Sequence, residues 1–494
     1  MKATILYFSV LLIFFILHSD LSFSQPSSQE LQDFYLLDEA LNLADQKLTK
    51  SIEELSFDHT LHPAHTHPET GAWVSFGRDE WTSGYFAGTL WFMYQLTGEE
   101  KWSEYARQWT QDMESTAYKA SDHDVGLRIL GSYGNGFRLT ENPTYLKLIL
   151  QGAYSLSKRY DPGIGAIKSW DPWEELNANY PVIIDNLMNL ELLFLAAKLS
   201  GRNDWEYMAV THTTTTIKHH LRQEGSIYHI VDFDNTGNVN RKFTTQGYGS
   251  GEDSAWARGQ AWAIYGFSMA YRYTKQPDFL DAAVSAANYF LQNLPEDQIP
   301  WYDFKEPSIP NATKDASAAA IAASGLIELF SFTNNHVYFN TAVDILNSLM
   351  SEKYSSKNSD DSSILLRSTI HRGDNERGTV YADYYFLEAL IRYKKQIGAN
   401  FPGLEIQTFF QLGQNYPNPF NNQTQFYYSV GEAGTVSINL YNLAGRKIKT
   451  LFSGLKEPGN YYVQLDASEL ASGFYIYAIQ ANGLRETKKM LLIK

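Results

Sequence analysis

From about residue 28 to 398, apolar positions recur at the three-to-four spacing of helices, and after residue 400 they alternate with polar ones as in strands. Within the helical stretch one unit returns: a helix end, a short polar break, an aromatic, then a small or apolar residue four positions on. It reads "LTGEEKWSEYA", "LTENPTYLKLI", "LSGRNDWEYMA", "YTKQPDFLDAA" and "FTNNHVYFNTA". The aromatics are Trp102, Tyr145, Trp205, Phe279 and Tyr338, and all but Tyr145 are followed by alanine at the fourth position (Ala106, Ala209, Ala283, Ala342). A bulky and a small residue one helical turn apart share a face against which another helix packs closely. Repeats of this kind predict helical hairpins. An open solenoid needs no long Trp- and Gly-rich connections, whereas this chain has "SWDPWEELNANYP" and "TTQGYGSGEDSAWARGQAW". The pattern therefore predicts an all-α (α/α) toroid with those loops at one mouth.

The alternating segments "TVSINLYNLAGRKIKTL", "GNYYVQLDA" and "GFYIYAIQANGLRETKKMLLIK", parted by glycine turns, predict a small antiparallel β-sandwich. The N-terminus has a different character: Lys2, an apolar run from Ile5 to Leu17, and Ser22-Phe-Ser24 before Gln25 read as a secretory leader. The expected organisation is a leader over 1–24, a helical domain over 25–400, a Pro- and Asn-rich linker over 401–421 and a sandwich over 422–494. No other segment has the length and apolarity of a membrane span, so none is expected once the leader is removed.

Composition narrows the partners. A formal charge of −15 argues against nucleic acid or an anionic membrane, and mildly against an anionic substrate. With no cysteine among 494 residues, disulfides and thiolate chemistry are excluded. Aromatics make up 15% of the chain, with 11 Trp and 33 Tyr, which suits either core packing or the apolar faces of sugar rings.

Four segments place unusual polarity among apolar helices. "SDHDVG" sets Asp122 and Asp124 around His123; "IIDNLMN" interrupts an apolar run with Asp185, Asn186 and Asn189; "YHIVDFD" carries His229; and "TTQGYGSGEDSAWARGQAW" holds Gln246, Trp256, Arg258, Gln260 and Trp262. Asp185 reads equally as a helix-capping aspartate, and "SDHDVG" as a solvated turn or a weak metal motif. Two aspartates brought together from separate helices would have their proton affinities pushed apart, leaving one acid and one carboxylate. His62, His65 and His67 have metal-like spacing but lie in a Pro-rich loop, and His219-His220 read as solvated.

Together these segments resemble the unsaturated glucuronyl hydrolases, glycoside hydrolase family 88 and the related family 105. The resemblance runs through "WTSGYFAGTLWFMYQLTG", "HDVGLRIL", "IIDNLMNLELLFLAAKLSG", "YHIVDFD", "SAWARGQAWAIYGF", "DASAAAIAASGLIEL" and "YADYYFLEALIR" in the family's order, and the intact "HDVG" favours family 88. It implies an (α/α)6 barrel. It also implies Asp185 as acid/base with Asp124 as its partner, and a substrate pocket lined by His229, Gln246, Arg258, Trp262, His123 and Trp81. No metal or cofactor is implied. The tail, through "QNYPNPFN", "LYNLAGRKIKTL", "LASGFYIYAI" and "KKMLLIK", resembles the C-terminal sorting domain of the type IX secretion system of Bacteroidota, which implies export to the cell surface or beyond.

The implied reaction releases a 4,5-unsaturated uronic acid from the non-reducing end of a lyase-generated oligosaccharide, with ulvan-type fragments favoured and glycosaminoglycan-type ones possible. The acid protonates C4 of the vinyl ether, water adds at C5, and the hemiketal opens and expels the aglycone. Arg258, His229 and the pair His371-Arg372 are the expected donors to the uronate carboxylate. Three other readings use overlapping residues: a conventional two-carboxylate glycosidase, which would also cleave saturated ends; a lyase, whose products gain ultraviolet absorbance; and a non-catalytic glycan-binding protein, which has no need of both aspartates.

Overall fold

A computed structural model describes residues 28–494, apart from 172–176, 250, 252, 372, 375, 399–410, 413, 414, 416, 417, 431, 432, 444, 457 and 458. The leader read at 1–24 and Arg372 lie outside the described residues, as do residues 401–410 of the linker. The chain divides into two compact units, 1–399 and 400–494.

In the first unit, helices alternate between an inner and an outer ring. In chain order they are α1 (Ser28–Glu54), α2 (Ser83–Thr97), α3 (Glu100–Asp112), α4 (Val125–Ile129, running through a π-turn into Asn135–Thr140), α5 (Pro143–Ser157), α6 (Asn186–Ser200), α7 (Asn203–His220), α8 (Ala257–Thr274), α9 (Pro277–Gln292), α10 (Ala316–Thr333), α11 (His336–Leu349) and α12 (Val380–Gln396). Even-numbered helices touch in the order α2–α4–α6–α8–α10–α12 and back to α2, so the ring closes. The toroid expected from the repeats is an (α/α)6 barrel.

Inner helices are apolar on all sides because both faces are covered. In α10 every residue from Ala316 to Phe330 is buried, between α8 and α12. Among the described residues it is the one helix long and apolar enough to cross a membrane, and its burial in this ring accounts for that composition. Ring closure demands small residues at the crossings: a Cβ on Gly88 of α2 would lie 2.7 Å from the Gly131 carbonyl oxygen of α4 and closer still to the Tyr384 ring.

The recurring sequence unit is the inner-to-outer turn. Gly98, Glu141, Gly201, Lys275 and Asn334 all end their inner helices in the left-handed conformation, each returning its N–H to the carbonyl four residues back. The preceding hydroxyls, from Thr97, Thr140, Ser200, Thr274 and Thr333, bond back to the helix and accept the N–H two residues on. Trp102, Trp205, Phe279 and Tyr338 are buried at the starts of α3, α7, α9 and α11, with their alanines fully buried one turn later. Near the inner C-termini an ion network fills the ring: Arg272 binds Glu191 and Glu328, and Arg392 binds Glu328 (2.9 Å) and Glu388 (3.5 Å). The long connections therefore gather at the opposite mouth, where the inner helices begin.

The second unit packs a four-stranded antiparallel sheet against a three-stranded one around Phe426, Tyr428, Ile438, Leu440, Tyr477, Ile479 and Met490. Leu412 and Phe420, within the stretch read as linker, are buried in that core, so the sandwich begins earlier than the Pro- and Asn-rich composition implied.

Candidate active site

Asp185 and His229 are brought together by a small sheet at the mouth. Strands β1 (Tyr180–Ile183), β2 (Ile230–Phe233) and β3 (Val239–Phe243) pair antiparallel, with Ile183 opposite Ile230. Residues just past one strand and just before the next must then be neighbours, and the Ile184 N–H donates to the His229 carbonyl at 3.0 Å. His229 Nε2 lies 3.9 Å from Asp185 Oδ2. "SDHDVG" is tied to the same sheet: His123 N–H donates to Ser169 O (3.0 Å), and Ser169 N–H to Pro181 O (2.9 Å).

Asp124 and Asp185 occupy equivalent positions, each the residue preceding the first turn of an inner helix, and neither uses its side chain to cap that turn. The capping alternative for Asp185 is thus not what its side chain does. Asp185 Oδ2 has no hydrogen-bond partner although it is shielded, while the side chain keeps 21% of its exposure. Burial, with the negative charge of Asp124 adding to it and Arg258 opposing it, pushes the Asp185 carboxyl up to about 7. An acid of that strength is partly protonated at neutral pH.

The other residues of "SDHDVG" have separate work. Burial alone would raise the Asp122 carboxyl, but Arg128 (3.0 Å) and Ser121 hold it below its usual range, and it accepts the Asp124 N–H at 2.9 Å. Asp122 is therefore structural, and neither a metal site nor a solvated bend describes it. His123 is fully buried, 3.5 Å from Asp124 Oδ1, and burial lowers its proton affinity.

His229 Nδ1 contacts Thr244 Oγ1 at 3.0 Å, and its ring lies against Trp256 with centroids 4.7 Å apart. Burial first, then the positive charge of Arg258, depress its imidazole to about 3, so it is neutral and not a cation. Gln246 is joined to His229 through Thr244, whose hydroxyl bonds the Gln246 carbonyl, and its side chain accepts from the Tyr302 hydroxyl. Arg258 is locked in place. It donates to Asp315 (3.0 Å), Ser317 (3.3 Å), Thr369 O (2.6 Å) and Ile370 O (2.9 Å), and stacks on Trp256 and Tyr381. Its charge is balanced by the fully buried Asp315, a pairing that sequence reading did not foresee.

Aromatic rings wall the mouth. Trp262 packs on Tyr385 (5.3 Å), Tyr385 on Tyr85 (5.8 Å), and half-buried Trp81 on Tyr85 (6.1 Å) and Tyr381 (5.2 Å). The indole N–H groups of Trp256 and Trp262 are buried without acceptors, and Trp262 lies close enough to Asp185 to favour its charge. Shielded donors without partners beside a raised carboxyl are what a polar ligand would satisfy. All eight residues singled out by the resemblance thus share this mouth. Two surface clefts, of about 510 and 540 Å³, lie elsewhere, around Trp301 and Lys314 and around His59 and Tyr118.

Thr244, Tyr302, Asp303 and Asp315 escaped the sequence reading. Asp303 accepts from the Tyr248 and Ala255 N–H groups and from Ser254, pinning the glycine-rich loop, and Gly247 at φ 74° leaves room for it. Nothing in "WYDFK" marks that role. Of the loop histidines, His62 is buried against Asp112 (2.9 Å), and His220, read as solvated, is buried and bonded to the Val182 carbonyl (3.0 Å). Both satisfy the core. His371, expected as a donor, is largely exposed beside Asp374 (3.8 Å). Among the described residues no group of three or more potential metal ligands is assembled.

Comparison with known proteins decides the family. The family described as Glycosyl Hydrolase Family 88 matches residues 56–301. An "Unsaturated glucuronyl hydrolase" of Formosa agariphila is 41% identical over 326 residues, 64% of this chain and 81% of that protein. The chain belongs to glycoside hydrolase family 88, the unsaturated glucuronyl hydrolases. An "Unsaturated chondroitin disaccharide hydrolase" of Streptococcus pyogenes is 30% identical over 392 residues, 75% of this family 88 chain and 95% of its relative. A crystal structure of an unsaturated glucuronyl hydrolase specific for heparin superposes with a TM-score of 0.71 at 36% identity, covering 75% of this chain and 99% of that one. Residues 414–494 match the family described as Secretion system C-terminal sorting domain, so this family 88 enzyme is a cargo of type IX secretion, bound for the cell surface or the outside.

Proposed function

We propose that Asp185 is the proton donor and Asp124 its supporting carboxylate in hydration of a 4,5-unsaturated uronate. The observation that carries this is a carboxyl pushed up to about 7 at the aromatic mouth, with Asp124 adjacent and no hydrogen bond to its Oδ2. Neutral acid transfers its proton to C4, and positive charge develops at C5, shared with the ring oxygen. The Asp185 carboxylate so formed, with neutral His229 3.9 Å away, then takes the proton of a water adding at C5. The hemiketal opens, C1 releases the aglycone, and the double bond is gone from the product.

The same geometry reconciles an anionic sugar with a protein of charge −15. Six inner helices begin at this mouth and direct their positive ends toward it. Arg258 adds a fixed cation that Asp315 anchors, and Gln246, Trp256, Trp262, His123 and Trp81 supply donors and a stacking surface. The long-range field of the acidic surface is screened beyond about 10 Å at 0.1 M salt.

For the aglycone, we place glycosaminoglycan-type disaccharides first, because relatives at 30% identity or more include chondroitin disaccharide hydrolases and a close structural neighbour is specific for heparin. Ulvan-type fragments share the reacting uronate and form the second arm of the test. Export would begin with the leader read over residues 1–24 and finish with removal or anchoring of the tail. Incubation with a panel of lyase-generated disaccharides, followed by loss of double-bond absorbance, tests the reading. Cleavage of saturated counterparts at a comparable rate would replace it with conventional glycoside hydrolysis.

A further inference from the structure

Asp124 stands where an aspartate ordinarily turns inward to cap its own helix, accepting an N–H from the second or third residue of the first turn. Here that N–H is taken by another helix. Asn189 Oδ1, on α6, accepts the Leu127 N–H at 2.7 Å. The opposite end of the same amide faces the neighbouring pair: Nδ2 lies 3.4 Å from Asp124 Oδ1 and 3.3 Å from His123 Nδ1. Asn189 is fully buried and one turn beyond Asp185. Gly126 makes the approach possible, since a Cβ there would sit 2.5 Å from Asn189 Oδ1 and 2.7 Å from its Cα.

From this arrangement we infer that Asn189 is a positioning residue: by capping α4 from α6 it releases the Asp124 carboxylate from capping duty, and its Nδ2 holds that carboxylate toward Asp185. The inference rests on the acid–carboxylate pair proposed above and adds to it the group that fixes the pair's geometry. Without the Asn189 amide, Leu127 offers its N–H to the nearest acceptor, which is the side chain of its own N-cap. Asp124 then turns away from Asp185. A residue with only a structural role would change stability and leave the titration of Asp185 alone.

The test compares pH profiles of kcat/KM for wild type, Asp124→Asn, Asn189→Ala and the double variant, using a lyase-made chondroitin disaccharide. Asn189→Ala is expected to lower kcat by roughly 10- to 100-fold, as misplacement of a reacting group does. It should also move the alkaline limb to lower pH by the same amount as Asp124→Asn, and in the double variant the limb should move no further. A folded Asn189→Ala enzyme with the wild-type limb, or additive shifts in the double variant, overturns the inference while the pair stands. An unmoved limb in Asp124→Asn overturns the pair and the inference with it. Should Asn189→Ala fail to fold, Asn189→Asp keeps the acceptor for Leu127 but loses the donor to Asp124; kcat at least ten-fold lower with an unchanged melting temperature supports positioning, and wild-type kcat refutes it.

Discussion

Replacing Asp124 by asparagine removes one negative charge and little else, because the new amide oxygen still accepts from Asn189 Nδ2. In the proposed mechanism Asp185 must be protonated to act, so activity should be present below its pKa of about 7 and be lost as the pH rises through it. Asp124 is one of the charges that raises that value, so its loss must move the limb toward acid. Asn189 touches Asp124 and lies one turn from Asp185, which places the carboxylates on the order of 7 Å apart, given about 5–6 Å between side chains one turn apart on a helix. Two charges at about 7 Å in an effective dielectric of ~20 interact by about 2.4 kcal/mol. Partial exposure of both groups (13% for Asp124 and 21% for Asp185) lets solvent screen the pair. Roughly half the interaction survives, and at about 1.4 kcal/mol per pKa unit the limb should shift by about one pH unit. The assay is kcat/KM between about pH 5 and 9, followed by the loss of double-bond absorbance. A limb at the wild-type position, or moved to higher pH, would refute the electrostatic argument whatever happened to kcat.

Asp185→Asn should lower kcat by roughly 10²–10⁴-fold and melt at or above the wild-type temperature at pH 8, since ionising a carboxyl raised above its unfolded value works against folding there. His212, His220 and His229 are buried neutral with values near 3, so each withdraws stability as pH falls below the unfolded value of about 6.5. His220→Gln, which can still donate to the Val182 carbonyl, should flatten the acid-side fall in urea stability by about 1.4 kcal/mol per pH unit, and an unchanged slope contradicts the burial argument. Glu328→Ala strips a partner from both Arg272 and Arg392 and should lower stability by about 3–5 kcal/mol, with kcat of the folded fraction unchanged because the network lies at the far end of the ring.

The barrel was legible because its turns are local chemistry repeated. A hydroxyl, a left-handed residue and an aromatic recur at each of five inner-to-outer turns, the aromatic buried in four of them, and each signal lies within about ten residues. The pairing of Asp124 with Asp185 was legible only through the polarity of segments that should be core, together with resemblance. What joins them depends on long-range contacts: Ser169 tying "SDHDVG" to β1, Thr244 bridging His229 and Gln246, Asp315 anchoring Arg258. A serine, a threonine and an aspartate carry no periodic signal, and the partners that tie them across the site, Pro181, His229 and Arg258, lie 12, 15 and 57 residues away. His220 was misread because a histidine near a helix end resembles a solvated one until the carbonyl it meets, Val182, is known. The sandwich boundary failed for a similar reason, since Leu412 and Phe420 join a core whose other members follow them.

The central claim is that a neutral aspartic acid adds its proton across a sugar C=C bond. It is tested most directly by a single turnover of the disaccharide in D₂O, quenched early and read by NMR. The account predicts one deuterium at C4 of the released uronate, delivered to one face, with the double bond lost in step with appearance of the aglycone. Free uronate that still carries its C4=C5 bond when the aglycone has already departed would contradict it.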